Sequence, residues 1–207
     1  MTSRQYEELC RFFLADLFQI GIHQVLSMEM MNPARPNFPS YRHQIDLYWD
    51  IETEAARYLH IANAKFRAPP LLIDQRDVLL LQQVKTKVAA HKAVLITNVG
   101  FSEGALAAAL DEGIALYLLR PTLDQRQLHP ADPVLIQSQL QSLCRSNPSR
   151  PPFVYDLLLK RFPSPTWEPG VPLAASPEPA LATVQLLGRR ATACTQAVLP
   201  SAALGPA

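Results

Sequence analysis

Seven glycines in 207 residues leave no glycine-rich phosphate loop. Gly100 and Gly104 fall far short of a dinucleotide fingerprint, so the usual nucleotide-binding folds are disfavoured. Three cysteines, Cys10, Cys144 and Cys194, are odd in number and far apart, which argues against a disulfide framework or a zinc knuckle. The five histidines share no metal-ligand spacing, and Ser102 has no nucleophile elbow around it. Charge of one sign is also missing. A net charge of +1 gives no global field for a polyanion or a membrane, so any such contact must come from a local patch. No apolar run approaches the roughly 20 residues that cross a bilayer, and the first residues lack the basic-then-apolar plan of a signal peptide. The expectation is a cytoplasmic protein with no membrane partner.

Proline is abundant but unevenly placed. Eleven of nineteen lie in the last sixty residues, where missing amide donors and fixed backbone angles oppose sustained helix or sheet. The sequence therefore divides into a folded domain, 1–147, and a largely disordered tail, 148–207. Two short apolar pieces, Phe153 to Phe162 and Ala180 to Ala197, could each form a helical turn or two.

Within the domain the signals alternate. Tyr6, Leu9, Cys10, Phe13, Leu17 and Phe18 recur at helical spacing, Thr2 and Gln5 fit a capping box, and Gly21 suits the left-handed position past the end. A strand over 22–30 and a proline loop over 32–40 precede a hairpin of Arg42–Asp50 and Arg57–Phe66. Asp74 caps a helix carrying Val78, Leu81, Val84 and Val88. Ala93–Thr97 reads as a buried strand, Ser102 to Glu112 as a helix closed by Gly113, and 114–119 as a second buried strand. Gln137 to Arg145 adds a last helix. Strand–helix–strand units of this length imply parallel neighbours joined by right-handed crossovers. The expected architecture is an α/β sandwich on a mixed central sheet flanked by helices.

The hairpin carries the chemistry. Pairing its strands so that Asp46 lies opposite Asn63 puts Asp46, Asn63 and Lys65 on one face, since side chains two apart on a strand point the same way. An acid, an amide oxygen and a lysine converging there can hold a divalent cation beside a phosphate. Hydrolysis of a phosphodiester needs an activated water, shielding of the phosphoryl oxygens and help for the leaving alkoxide. Each residue also has a plainer role available: Asp46 and Lys65 as a buried ion pair, Asn63 as a hydrogen-bonder of neighbouring backbone.

Ile45-Asp46-Leu47-Tyr48-Trp49, Asn63-Ala64-Lys65, Leu95 to Ser102 and Asp111 to Leu116 together resemble the Mrr-type branch of the restriction-endonuclease-like superfamily. The resemblance spans about residues 4–121 and implies an αβββαβ core and a Mg²⁺-dependent DNA endonuclease of defence or repair type. It further implies double-stranded DNA as partner and a possible homodimer. Residue by residue, Asp46 matches the metal-binding aspartate, Lys65 the lysine, and Glu7 the acid of the first helix, with Glu8 as the alternative one register away. Asn63 stands where the family has Glu or Gln. A neutral amide oxygen can coordinate Mg²⁺ but brings no charge, so the alternative is a catalytically weakened nuclease fold that binds DNA or a protein without cutting. Asp46, Asn63 and Glu7 are the metal candidates, and Gln83, or Gln82, is the further polar residue expected from the second long helix. Arg35, Arg42, Arg67 and Lys85, with Lys87 and Lys92, form the local basic patch expected to meet phosphates. The 31–41 loop, with Phe38 and Tyr41, is expected at the DNA groove.

Overall fold

In the computed structural model of the chain, residues 1–31, 42–147 and 152–159 are described. Six strands form one sheet in strictly sequential order. The elements are α1 (Ser3–Phe18), β1 (Leu26–Met31), β2 (Arg42–Glu52), β3 (Arg57–Lys65), α2 (Gln75–Lys87), β4 (Lys92–Thr97), α3 (Glu103–Glu112), β5 (Ala115–Pro121), α4 (Pro133–Ser146) and β6 (Phe153–Leu159). β3, β4 and β5 run parallel and the outer pairs run antiparallel, so the sheet is mixed.

Local chemistry sets most of the boundaries. Thr2 and Gln5 exchange side-chain and backbone bonds at the start of α1, the expected capping box. Asp74, Ser102 and Asp132 accept amides at the starts of α2, α3 and α4. Gly113 closes α3 in the left-handed region, at φ 65°.

Three sequence expectations are corrected. α1 ends two residues early, with Gln19 at φ 55°, while Gly21 begins a 3-10 turn whose Gln24 side chain accepts the Gly21 amide. The strand expected from residue 22 therefore starts at Leu26. Phe153–Leu159, expected within the tail as helical turns, is a strand pairing antiparallel with β5. Its alternation explains this: Phe153 is buried and Val154 exposed, a pattern of period two. Prolines next to an edge strand cost no central ladder bond. The rest of the tail, with the Ala180 to Ala197 piece, and the proline loop with Arg35 lie outside the described residues.

Two apolar layers cover the sheet. On one face, Tyr6, Leu9, Phe13 and Leu14 of α1 and Ile136 and Leu140 of α4 pack on Leu47, Trp49, Ala62 and Ile96. On the other, Val78 and Leu81 of α2 and Ala105, Ala108 and Ala109 of α3 pack on Ile45, Ile61 and Leu95. No helix among the described residues is long and apolar enough to cross a membrane.

Glu8 belongs to the first layer and not to a site. It is 2% exposed, faces Arg4 at 3.4 Å and Arg11 at 3.5 Å, and accepts from Gln137 of α4 at 2.7 Å. Arg11 in turn donates to the Val25 and Ile22 carbonyls. This network ties α1 to α4 and to the turn before β1. Glu8→Ala takes the carboxylate from the buried Gln137 amide and from the partly exposed Arg4 and Arg11, and the expected cost is about 1–2 kcal/mol, read as a lower urea midpoint.

Candidate active site at the β2–β3 seam

The regular β2–β3 ladder runs from Glu52↔Arg57 to Leu47↔Ala62. The ladder stops one pair short of the expected Asp46–Asn63 pairing. The expectation that fails is the single shared face. Opposite β1, the two-residue step from Leu26 to Met28 faces a three-residue step from Tyr48 to Ile45, so β2 carries a bulge around Asp46. Its effect shows in the packing: Ile45 joins the α2–α3 layer and Leu47 the α1–α4 layer, although a regular strand would send both the same way.

The bulge leaves Asp46 in the seam between the two strands. Its Oδ2 accepts the Ala64 amide at 2.8 Å, standing in for the backbone carbonyl that a continued ladder would supply. Burial pushes its carboxyl above the usual aspartate range, against the pull of that amide and of the Lys65 charge. From the α1 side comes Glu7, a quarter exposed and 3.2 Å from Arg4. Burial raises the Glu7 carboxyl, and the negative charge of Asp46 raises it further, with Arg4 opposing. Two partly buried carboxylates thus share one field.

Asn63 and Lys65 approach from the other side. They line a groove of about 190 Å³ with Gln44 and Ile45 of β2 and with Asp77, Leu80, Leu81 and Val84 of α2, and Asp46 is not on its wall. The Asn63 Oδ1 is buried with no hydrogen-bond partner. No ion pair among the described residues engages the Lys65 ammonium. The candidates are therefore divided between the two faces of the sheet: Glu7 shares a field with Asp46 on the α1 side, Asn63 and Lys65 line the groove on the α2 side, and the charge of Lys65 is felt at Asp46.

The remaining candidates are not brought there. Gln83 is exposed and lines a separate shallow groove with Gln75 and Arg76, while Gln82 is absent from the wall around Lys65. The polar α2 residue on that wall is Asp77, which sequence reasoning missed. Its only sequence signal is an acid in the first helical turn, a position acids favour anyway. Gln44, also missed, precedes the bulge. Arg67 donates to both oxygens of Asp77, at 2.7 and 2.9 Å, so it can meet a phosphate only by leaving that partner. Lys85 reaches the Glu112 carbonyl at 3.4 Å. Arg42 lies on β2 with its side chain outside the described set. His43 is held below the usual histidine range by burial and by the charge of Lys87.

The donor set suits a hard cation in kind. Asp46 with one oxygen committed to Ala64, Glu7 already paired with Arg4, and the orphaned buried amide oxygen of Asn63 are oxygen donors of the kind a hard cation takes. Among the described residues no group of three or more His, Cys, Asp and Glu side chains is placed to hold a metal.

No family model matches the chain, and no curated protein matches it. A crystal structure of a protein of unknown function, AF1548, is similar at 17% identity and a TM-score of 0.40. The match covers 53% of this chain and 56% of that one, so the chain spans just over half of that protein's length. A likeness at this level assigns neither family nor function.

Proposed function

We propose that the chain is a Mg²⁺-dependent DNA endonuclease of the restriction-endonuclease-like type, with Asp46, Glu7 and Asn63 as cation ligands and Lys65 as the catalytic cation. The observation that carries this reading is Asp46: a mostly buried carboxylate placed by a bulge in the seam, flanked by a second acid and a lysine, and held at a raised pKa. No ion pair among the described residues joins Asp46 to Lys65, as a purely structural pairing would require. The order α1, β1, β2, β3, α2, β4 at the start of the chain is compatible with the αβββαβ core that the sequence resemblance implies.

Bound Mg²⁺ would supply Lewis acidity to the phosphodiester and to the attacking water. The chain's own part is positional. Ala64 fixes the Asp46 carboxylate, Arg4 steadies Glu7, and Lys65 presents an ammonium to the charge that develops on the phosphoryl oxygens. Asn63 supplies an oxygen without charge, which favours the second reading, a weakened site that binds duplex DNA without cutting it.

Supercoiled plasmid separates the two. Nicking is expected with Mg²⁺, abolished by EDTA and by Lys65→Ala. Salt-sensitive DNA binding with no nicking in any divalent cation would select the second reading, and neither binding nor nicking would overturn both.

A further inference from the structure

The β3–β4 ladder ends at Lys65↔Thr97, yet β3 does not fray there. Thr97, fully buried, donates its Oγ1 to the Lys65 carbonyl at 2.9 Å. One residue on, the Asn98 side chain does what a further strand residue would do. Its Oδ1 accepts the Arg67 amide and its Nδ2 donates to the Arg67 carbonyl, both at 2.8 Å. A primary amide presents an acceptor and a donor side by side, matching the two groups that an extended residue offers along its edge. Arg67 is held a third time through Asp77 on α2. The backbone on both sides of Lys65 is thus fixed, while its ammonium stays outside every ion pair among the described residues.

We propose that Thr97 and Asn98 are positioning residues for Lys65, extending the sheet by side chains so that the backbone from which Lys65 enters the groove is held in place. The role of Lys65 as the catalytic cation rests on the endonuclease reading above; the clamp itself does not. A reactive group must be held within a fraction of an ångström of its working geometry, and side-chain entropy alone would leave a lysine at a strand end mobile. Thr97-Asn98 extends that precision past the last backbone pair.

The test uses the full chain with Thr97→Val, which keeps shape and removes the donor, Thr97→Ser, which restores it, and the half-buried Asn98→Ala. Plasmid-nicking kcat is expected to fall about 10²-fold in Thr97→Val and Asn98→Ala, with KM within about twofold of wild type and Thr97→Ser close to wild type. Two readouts need no activity: hydrogen exchange at the Arg67 amide, expected to speed up in Asn98→Ala, and the NMR linewidth and order of the ¹³C-labelled Lys65 side chain, expected to report greater mobility in both variants. If wild type does not nick DNA, the endonuclease reading fails and the clamp is judged on these two alone. Unchanged Arg67 exchange and Lys65 mobility overturn the proposal. So does a kcat loss that Thr97→Ser fails to rescue, or one matched by an equal rise in KM.

Discussion

Asp46→Asn is expected to make the protein more stable and catalytically dead at once. The substituted amide keeps an oxygen for the Ala64 N–H, so the seam stays closed, while the charge whose burial is incompletely compensated disappears. The gain should be on the order of 1 kcal/mol in urea unfolding near neutral pH, the usual size when a strained functional group is relieved. Metal-dependent cleavage should fall by about 10³-fold or more. The sign with pH follows from the direction of the shift. A carboxyl whose folded pKa lies above its unfolded value binds its proton more tightly when folded, so its contribution to stability is greatest in acid. That contribution is lost as pH rises from the unfolded pKa through the folded one. The advantage of Asp46→Asn should therefore grow over that window and vanish below about pH 4, where the wild-type aspartate is protonated in both states. Glu7 shifts the same way and adds to the wild-type slope. Asp46→Ala is the contrasting variant: it orphans the Ala64 amide and should cost about 1–3 kcal/mol. Should Asp46→Asn prove clearly less stable than wild type, the aspartate is a structural partner of Lys65 and the site loses its centre.

What could be read from the sequence was what short-range chemistry decides. Capping by Thr2, Asp74 and Ser102, the left-handed Gly113 and the buried run of β4 each depend on residues within a turn of one another. The register of β2 on β3 was also legible, because alternation along both strands permits few pairings. The bulge was not. It arises from how β1 meets β2, and β2 contains no glycine or proline to mark it, so of three polar groups expected on one face Asn63 and Lys65 line one groove and Asp46 stands off its wall. Gln83 in place of Asp77 is a related miss. The rotation of a helix about its axis is set by what its apolar side packs on, and Val78 and Leu81 turn Asp77 toward the groove and Gln83 away. β6 stayed hidden because its neighbouring prolines dominated the composition while its seven residues alternate almost silently.

The same geometry sets the expectation for Asn63→Glu. The Asn63 Oδ1 is already buried and unpartnered, so a carboxylate at this position adds charge where an oxygen donor is present. In the absence of metal the new acid meets desolvation in the groove, which should lower the melting temperature relative to wild type and make that loss grow with pH. Millimolar Mg²⁺ should restore it, because a ligand bound only to the folded state stabilises by mass action, about 2.7 kcal/mol at a hundred times its Kd. Mg²⁺ affinity read from the melting shift should rise at least about tenfold over wild type, equivalent to about 1.4 kcal/mol, and plasmid nicking should rise with it. Asn63→Gln controls for length, since it extends the amide without adding charge and should bring neither the pH-dependent loss nor the rescue. Nearby Lys65 offers the competing explanation that the new carboxylate is simply neutralised by the lysine. In that event Asn63→Glu would lose no stability without metal and show no Mg²⁺-dependent rise in melting temperature. That outcome would falsify the assignment of position 63 to a cation site, whatever the fate of Asp46.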